Sequence, residues 1–370
     1  MLEMLCGINE SELLVNEESL SDTQSVARGH KRWKHLALWL LGMGGFAAII
    51  YFRGRGSLEN MLHPCLVPLV LCFLANVLML LLSSVRWGYT TRQMTRRKTG
   101  SYAEFFLCVV TGRFFGQFVS RTGGDFLVRP GVLNRLSKIP FRSLLLPTLV
   151  DRLFDIVLMT VLVVPAACFL SGTVGPVGSS AIALSLFVAL SFLVVWNYLS
   201  VFSFFCWAWQ LLRRVSARIP GLRRLARAGE PKSFAAMKEE GPIIGRRALI
   251  VGFLLTGFRY IVLVLRLWLL VSAFRLAIPA ATLAFGVPIA QLSLILGITP
   301  GGLGFLEGGW YAVLAVSEIP TDSIITFLIT QRVYWFIFTS AIFLISYLVF
   351  GARRLLMTRS TVLPARDEDE

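Results

Sequence analysis

The amino-acid sequence predicts an all-α integral membrane protein with about six spanning helices and two glycine-rich re-entrant hairpins, arranged as an inverted repeat. Three observations lead to this prediction. First, 56% of the 370 residues are hydrophobic and only 15% are charged, whereas soluble proteins carry about 25% charged residues. Second, several apolar runs approach or exceed the ~20 residues that cross a bilayer as a helix. Third, two further apolar segments are interrupted by glycines and belong to two similar halves of the chain.

The orientation of the spans follows from the basic residues beside them. Clusters of Lys and Arg lie before the first span, after the second (from Arg86 onwards), in the loop 207–247 and after the last span. Such loops face the cytoplasm, so the net charge of +15 reflects membrane topology rather than nucleic-acid binding. Both termini are expected in the cytoplasm, with residues 1–35 as a disordered tail and 353–370 as a polar tail. The predicted spans are 36–52, 64–85, 144–170, 180–206, 247–271 and 323–350.

The segments 102–143 and 278–322 have to begin and end on the same side of the membrane in this topology. Each holds apolar stretches that are broken by glycines. Non-helical backbone at membrane depth is tolerated where it is buried in protein or lines a water-filled cavity. We therefore expect two re-entrant hairpins, and the alternative is close packing of helices through small residues.

The second hairpin contains the stretch "TPGGLGFLEGG", residues 299–309, with Gly301, Gly302 and Gly304 at its bend. Its five glycines and one proline do not suit an ordinary helix. No Lys follows the glycines as in a phosphate-binding Walker loop, and no soluble strand–helix unit surrounds them as in a dinucleotide-binding loop. The stretch is therefore interpreted as the bend of a buried hairpin, and no cofactor is expected.

The two halves of the chain resemble each other when position 137 is aligned with position 317 and the alignment continues without a gap. This constant shift, which we call the repeat offset, aligns "SKIPFRSLLLPTLVDRLFDIV" (137–157) with "SEIPTDSIITFLITQRVYWFI" (317–337). The first unit, 64–170, is predicted to begin outside the membrane and the second, 247–350, inside, so the units would be inverted. Inverted repeats with interrupted helices are typical of transporters. The matched pairs include Pro140 with Pro320, Arg152 with Arg332, Gly124 with Gly304, and Arg86 with Arg266.

Arg152 and Arg332 are the predicted centre of a site. Arg152 lies far enough into its span to be ~12 Å deep at ~1.5 Å per residue, and Arg332 reaches a matching depth from the opposite face. A charge near the bilayer centre costs at least about 2.5–3.5 kcal/mol, so each arginine should face a partner or a polar cavity. Asp151 and Asp155 are the expected partners of Arg152, and Glu307 is that of Arg332. These contacts would be structural ion pairs, or they would serve substrate binding, or both.

Several further arginines, among them Arg259 and Arg266, lie in or beside the apolar segments. Because the guanidinium fork suits phosphate oxygens, a cavity with several arginines favours an anionic lipid headgroup. We expect this cavity near the midplane, with the two hairpins as its walls. The candidate substrate-binding residues are Arg113, Arg121, Gly124, Asp125, Arg152, Gly301, Gly302, Gly304, Glu307 and Arg332, with Asp151 and Asp155 as supporting ion pairs.

A family resemblance becomes visible at these residues. The stretch "TPGGLGFLEG" followed by "SEIPTDSIITFLITQRVYWFIF" resembles the membrane domain of the lysylphosphatidylglycerol synthase/flippase family. The stretch "RTGGDFLVRPGVLNRLSKIPFRSLLLPTLVDRLFDIVL" is similar to the first-half motif of that family, although Thr122-Gly123 stands where the family often has Gly-Arg. The resemblance covers roughly 36–352, the predicted membrane domain. The chain ends soon after the last span, so the soluble aminoacyltransferase domain of bifunctional members is expected to be absent.

The resemblance implies lipid translocation rather than lipid aminoacylation. We expect a flippase in the bacterial cytoplasmic membrane that moves an anionic phospholipid or a lipid-linked glycan intermediate, with membrane lipids and a lipid-biosynthesis enzyme as partners. One alternative is a membrane-embedded transferase, for which Asp125, Asp151, Asp155 and Glu307 are the only acid–base candidates, with no His among them. Another is a non-transporting partner of a synthase complex. No catalytic residue and no metal ligand are predicted.

Overall fold

The computed structural model describes residues 64–95, 100–197, 211, 245–295 and 300–360. The predicted N-terminal tail, the first predicted span, most of the basic loop 207–247 and the last ten residues lie outside this part of the chain. The elements are α1 (Leu66–Thr95), α2 (Tyr102–Gly116), α3 (Arg121–Gly123), a π-helical turn (Gly124–Val128), α4 (Arg129–Ser137), α5 (Phe141–Leu170), α6 (Pro176–Trp196), α7 (Arg246–Ala273), α8 (Ala280–Ile295), a 3-10 turn (Pro300–Gly302), α9 (Phe305–Val316) and α10 (Thr321–Ser360).

Five of these helices are long and apolar enough to cross a membrane, namely α1, α5, α6, α7 and α10. The described residues form helices and no strands, which confirms the prediction of an all-α membrane protein. Two helices extend well beyond the C-terminal ends of their predicted spans. Helix α1 continues to Thr95 and includes Arg86, whose charge is paired with Asp151 and Asp155. Helix α10 continues to Ser360. The residues after 351 include Ala, Leu, Met and Arg, and no proline precedes the end of the helix, which favours its continuation.

The first predicted hairpin consists of α2 and the helical stretch from α3 to α4. Helix α2 begins with a capping box, in which the Ser101 N–H donates to Glu104 Oε2 (2.9 Å) and the Glu104 N–H donates to Ser101 Oγ (3.3 Å). Its 15 residues reach about 22 Å, less than the ~30 Å hydrocarbon core. A Cβ on Gly124 would lie 2.2 Å from the Gly112 carbonyl oxygen. The two helical segments of the hairpin can therefore pack this closely only because position 124 is a glycine.

The second predicted hairpin consists of α8 and α9, which the glycine stretch joins. Gly301, Gly302 and Gly304 have φ angles of +61°, +71° and +86°, a region that L-residues with side chains rarely adopt. A Cβ on Gly302 would lie 2.0 Å from Leu294 Cδ1. The glycines therefore permit a tight turn between two helices of 16 and 12 residues, each too short to span the bilayer when straight.

The long helices α1 and α7 run antiparallel along each other. The Cys65 N–H donates to the Ala273 carbonyl oxygen (2.8 Å) at one end, and Arg86 Nη1 donates to Thr256 Oγ1 (2.7 Å) further along. Helix α2 packs against α10 while α8 packs against α5, so each hairpin contacts the last long helix of the other half. The main apolar core lies between α7, α8, α9 and α10, around Trp310 and Phe327.

The tips of the two hairpins contact each other. A Cβ on Gly301 would lie 2.9 Å from the carbonyl oxygen of Gln117, the residue that follows α2. The short helix α3 also contacts the 3-10 turn. The break in each hairpin is therefore in contact with the other break.

The repeat offset recurs in the helix boundaries. It relates Leu66 at the start of α1 to Arg246 at the start of α7, and Phe141 at the start of α5 to Thr321 at the start of α10. It also relates Lys138 to Glu318, which both adopt left-handed backbone, with φ of 53° and 57°. The repeat offset thus relates equivalent positions in the structure.

Candidate functional site

A network of buried charges connects α1, α5 and α7 with the π-helical turn and α4. Asp155 lies at the middle of α5 and Arg259 at the middle of α7, and Arg259 Nη2 is 2.5 Å from Asp155 Oδ1. Charges at this depth of a spanning helix are costly unless they are paired or face a polar cavity. The network consists of four arginines and three aspartates: Arg86, Arg129, Arg152, Arg259, Asp125, Asp151 and Asp155.

Arg86 is the most completely satisfied cation of the network. Its Nε lies 2.7 Å from Asp151 Oδ1 and its Nη1 lies 2.6 Å from Asp155 Oδ1. The same Nη1 donates to Thr256 Oγ1 at 2.7 Å. The residue is only 1% exposed, so its assignment to a cytoplasmic basic cluster was wrong. Its carboxylate partners lie 65 and 69 residues away in the sequence, which is why the adjacent basic residues suggested a loop.

Asp125 and Arg129 enter the network from the first hairpin. Arg129 Nη1 lies 3.2 Å from Asp125 Oδ1 and 3.4 Å from Asp151 Oδ2. Asp125 also forms an ion pair with Arg152. The π-helical turn that carries Asp125 is a feature often found at functional sites.

The expected partners of Arg152 are only partly correct. Arg152 Nη1 lies 3.8 Å from Asp155 Oδ2, one turn away, but Asp151 instead contacts Arg86 and Arg129. Adjacent residues on a helix point in different directions, so Asp151 faces α1 rather than Arg152. The closer partner of Arg152 is Asp125. Among the described ion pairs of the network, four arginines contact three aspartates.

A cavity of about 380 Å³ opens beside this network, within the usual size range of small-ligand sites. Its wall holds four arginines and two aspartates, together with two glutamines, Thr122 and apolar side chains. The charged lining is therefore positive overall. The charged residues of the wall are Arg113, Asp125, Arg152, Asp155, Arg259 and Arg266.

Arg266 differs from Arg152 and Arg259, two arginines of the wall that form ion pairs with aspartates. It is 8% exposed, and its Nη1 donates to Asn76 Oδ1 at 3.3 Å. Its Nε has no hydrogen-bond partner among the described residues, and no carboxylate in that part of the chain forms an ion pair with it. Helix α10 contributes Gln331 and Trp335 to the same cavity.

Arg332 lies at the tip of the second hairpin. Its Nη1 is 3.6 Å from Glu307 Oε1, the partner expected from the sequence, and its Nη2 donates to the Gly301 carbonyl oxygen at 3.1 Å. The other carboxylate oxygen of Glu307 accepts from the Gly304 N–H at 2.8 Å and so caps α9. Arg332 adjoins a smaller pocket that shares Gln331 and Trp335 with the main cavity, and the Trp335 ring lies 5.5 Å from its guanidinium carbon.

Comparison with known proteins agrees with these features. The profile of the family described as "Lysylphosphatidylglycerol synthase TM region" matches residues 35–342, a range that includes the whole network and the cavity. The chain belongs to this family. It is therefore a multi-pass membrane protein of a family with a role in membrane lipids. A comparison with curated proteins finds no match.

The structure places the candidate residues of this family member in two neighbouring groups. Arg113, Asp125 and Arg152 line the cavity. Glu307, Arg332 and the three hairpin glycines lie beside it, at the tip of the second hairpin. Gly124 is packed against α2 and serves the close helix crossing. The side chain of Arg121 lies outside what the structure describes.

Sequence reasoning missed the parts of the site that depend on distant partners. Arg86 and Arg129 were not among the candidates. Arg259 and Arg266 were expected to contribute to an arginine-rich cavity, which they line, but they were not named as candidate residues. Gln331 also went unnoticed because an amide next to Arg332 carries no signal by itself. The repeat offset could have drawn attention to several of these positions, since it pairs Arg86 with Arg266.

Proposed function

We propose that the protein is a lipid flippase that moves an anionic phospholipid or a lipid-linked glycan intermediate across the bilayer. The observation that carries this proposal is the positively charged cavity at the middle of the long helices, beside the meeting point of two broken hairpins. Arginines at this depth are usual in substrate pathways. Family membership supports a lipid as the cargo.

The proposed mechanism depends on the energetics of the headgroup. A phosphate that enters the bilayer without partners loses its hydration, and that loss is prohibitive for transport. Guanidinium groups on the cavity wall would replace the lost water contacts. Apolar side chains such as Met79, Phe126 and Leu263 complete the wall. The acyl or prenyl chains would stay in the bilayer while the headgroup crosses through the protein.

An inverted repeat is the second part of the proposal. Its support is that equivalent helices α1 and α7 run antiparallel, which requires a symmetry axis close to the membrane plane. The hairpin helix of each half contacts the last long helix of the other half, α2 with α10 and α8 with α5, and these contacts fit the same symmetry. Two inverted units can exchange conformations, so that the cavity opens to one face and then to the other.

Arg332 and Glu307 would control the second hairpin in this mechanism. Both hold the hairpin tip through Gly301 and Gly304. Glu307 would pair with Arg332 while the site is empty, and a phosphate that reaches Arg332 would compete with this carboxylate. The hairpin tip would then be released when lipid is present.

Transport is better supported than catalysis. An acid–base role needs a carboxylate that is free to exchange a proton, whereas Asp125, Asp151 and Asp155 each contact at least two arginines. We place the protein in the bacterial cytoplasmic membrane with both termini in the cytoplasm, because the basic clusters lie at the predicted cytoplasmic ends of the spans. Membrane lipids are the proposed partners, with a lipid-biosynthesis enzyme as a further one.

The test is transport in reconstituted vesicles. Headgroup-labelled phosphatidylglycerol is placed in both leaflets, and a membrane-impermeant quencher is added outside. With the protein present, the inner-leaflet label should also be quenched, because it reaches the outer leaflet. Protection of half of the label, as in protein-free vesicles, would contradict the proposed function for this lipid, and a lipid-linked glycan would then be tested in the same assay.

A further inference from the structure

Arg86 and Arg266 occupy equivalent positions in the two halves of the molecule. The repeat offset relates them to each other, and it relates Asn76 to Thr256 in the same way. Arg86 Nη1 donates to Thr256 Oγ1 at 2.7 Å, and Arg266 Nη1 donates to Asn76 Oδ1 at 3.3 Å. The same polar contact thus occurs twice across the antiparallel pair α1 and α7, once from each helix.

The acidic partners, in contrast, are present in one half only. Asp151 and Asp155 bind Arg86 in the first half. The repeat offset relates these two aspartates to Gln331 and Trp335. The two carboxylates that neutralise Arg86 therefore have no counterparts opposite Arg266.

The space around Arg266 reflects this replacement. Helix α7 packs less extensively against α10 than α1 packs against α5. Arg266, Gln331 and Trp335 all line the cavity. The surroundings of Arg86 are thus filled by its ion pairs with Asp151 and Asp155, whereas the equivalent Arg266 is a buried arginine in a cavity wall.

We propose that Arg266, Gln331 and Trp335 form the phosphate-binding half-site of the cavity, so that the lipid phosphate takes the place of the two missing carboxylates. This proposal rests on the proposed function and identifies the cargo as a phosphate ester of a lipid. The guanidinium of Arg266 would donate to two phosphate oxygens. The Gln331 amide would add a neutral donor, and Trp335 would cover the apolar side of the headgroup.

The chemistry explains why the second half differs in these two residues. A buried cation without a carboxylate is costly, and its cost falls when an anionic ligand binds. A permanent Asp at position 331 or 335 would supply that anion from the protein and compete with the ligand. An amide and an aromatic ring keep the place open to an external phosphate.

The first experiment compares lipid binding by the wild-type protein, Arg266→Gln and the control Arg247→Gln, by native mass spectrometry in detergent. Arg247 is an exposed arginine of the same helix α7, so the control makes the same chemical change outside the cavity. The probes are phosphatidylglycerol and a glucosyl diacylglycerol, which lacks phosphate. We expect Arg266→Gln to weaken phosphatidylglycerol binding by roughly 10- to 100-fold, with the control and the glycolipid unchanged. Equal binding by Arg266→Gln and wild type would overturn the proposal.

The second experiment restores the missing carboxylate. Gln331→Asp places an anion opposite Arg266, and Gln331→Asn is its matched uncharged control. We expect Gln331→Asp to bind phosphatidylglycerol at least about tenfold more weakly than Gln331→Asn. Equal binding by the two variants would contradict the proposed competition. This comparison does not depend on the folding of an arginine variant, because both proteins keep Arg266.

Two further measurements separate the possible sources of failure. Inorganic phosphate is added to wild-type protein at the concentration of phosphatidylglycerol, and thermal protection by the two is compared. Greater protection by the lipid is expected, and equal protection would overturn the assignment to a lipid. Binding that depends on Arg266 without flipping in vesicles would contradict transport but keep the site, whereas unchanged flipping by Arg266→Gln would contradict the site but keep transport.

Discussion

The same substitution at the two equivalent arginines should have different consequences for stability. Arg86→Gln removes the cation between Asp151 and Asp155, which it contacts at 2.7 and 2.6 Å. In this variant Asp155 retains its ion pair with Arg259 at 2.5 Å, but the remaining ion pair of Asp151 is the longer one with Arg129, at 3.4 Å. Breaking a buried ion pair on one side costs about 3–5 kcal/mol. We expect a loss of this size for Arg86→Gln.

Arg266→Gln should change stability much less. It removes one hydrogen bond to Asn76 at 3.3 Å, which contributes about 1 kcal/mol. It also removes a buried charge that has no carboxylate partner in the described part of the chain, and this relief offsets the lost hydrogen bond. The free energy of unfolding should therefore stay within about 1 kcal/mol of the wild-type value.

Thermal unfolding in mild detergent, followed by tryptophan fluorescence, measures both effects. At about 2–4 °C per kcal/mol, Arg86→Gln should lower the Tm by roughly 6–20 °C. Arg266→Gln should unfold near the wild-type temperature, as should the exposed control Arg247→Gln. A loss for Arg266→Gln as large as that for Arg86→Gln would contradict this expectation, because Arg266 would then be a structural cation like its counterpart.

Three further predictions concern the hairpins and the topology. Arg332→Gln should abolish vesicle transport of phosphatidylglycerol in a folded protein. Glu307→Gln keeps a hydrogen-bond acceptor for the α9 cap and should retain transport. An equal loss of transport in both variants would leave Arg332 and Glu307 with a structural role only. Gly124→Ala should lower the Tm because its Cβ would lie 2.2 Å from the Gly112 carbonyl oxygen, while Gly131→Ala, which has open space around it, should not; equal Tm values would show that the helix crossing tolerates a side chain. A single cysteine at position 228 in a cysteine-free background should be unreactive to impermeant reagents in intact cells, and labelling there would contradict the cytoplasmic loop.

The fold class could be predicted from the sequence because backbone polar groups in a bilayer have to be hydrogen-bonded within the protein, so long apolar runs form helices. Apolar length alone indicates the span helices, and glycines within apolar runs indicate where a helix has to break. The position of Arg86 inside α1 could not be predicted in this way. A basic residue next to a basic cluster looks like part of a loop, and only its distant partners Asp151 and Asp155 show that it belongs inside the helix.

The candidate site could be predicted in part, and the limits have a physical cause. Arg152, Asp125 and Arg113 were identified because charges in apolar segments need a reason to be there. The partner of each charge depends on helix packing, as the position of Asp151 opposite Arg86 illustrates. Arg266 is singled out because it lacks carboxylate partners in the described part of the chain. This absence is recognised only by comparison with the equivalent Arg86, which contacts Asp151 and Asp155.

In the proposed mechanism, an anionic lipid headgroup enters the cavity at the middle of the membrane. A cryo-electron microscopy structure in nanodiscs that contain phosphatidylglycerol would locate this headgroup. We expect phosphate density inside the cavity, within about 4 Å of the Arg266 guanidinium, a distance at which an ion pair forms. Ordered lipids whose phosphates all lie at the two membrane surfaces, with water alone beside Arg266, would contradict it.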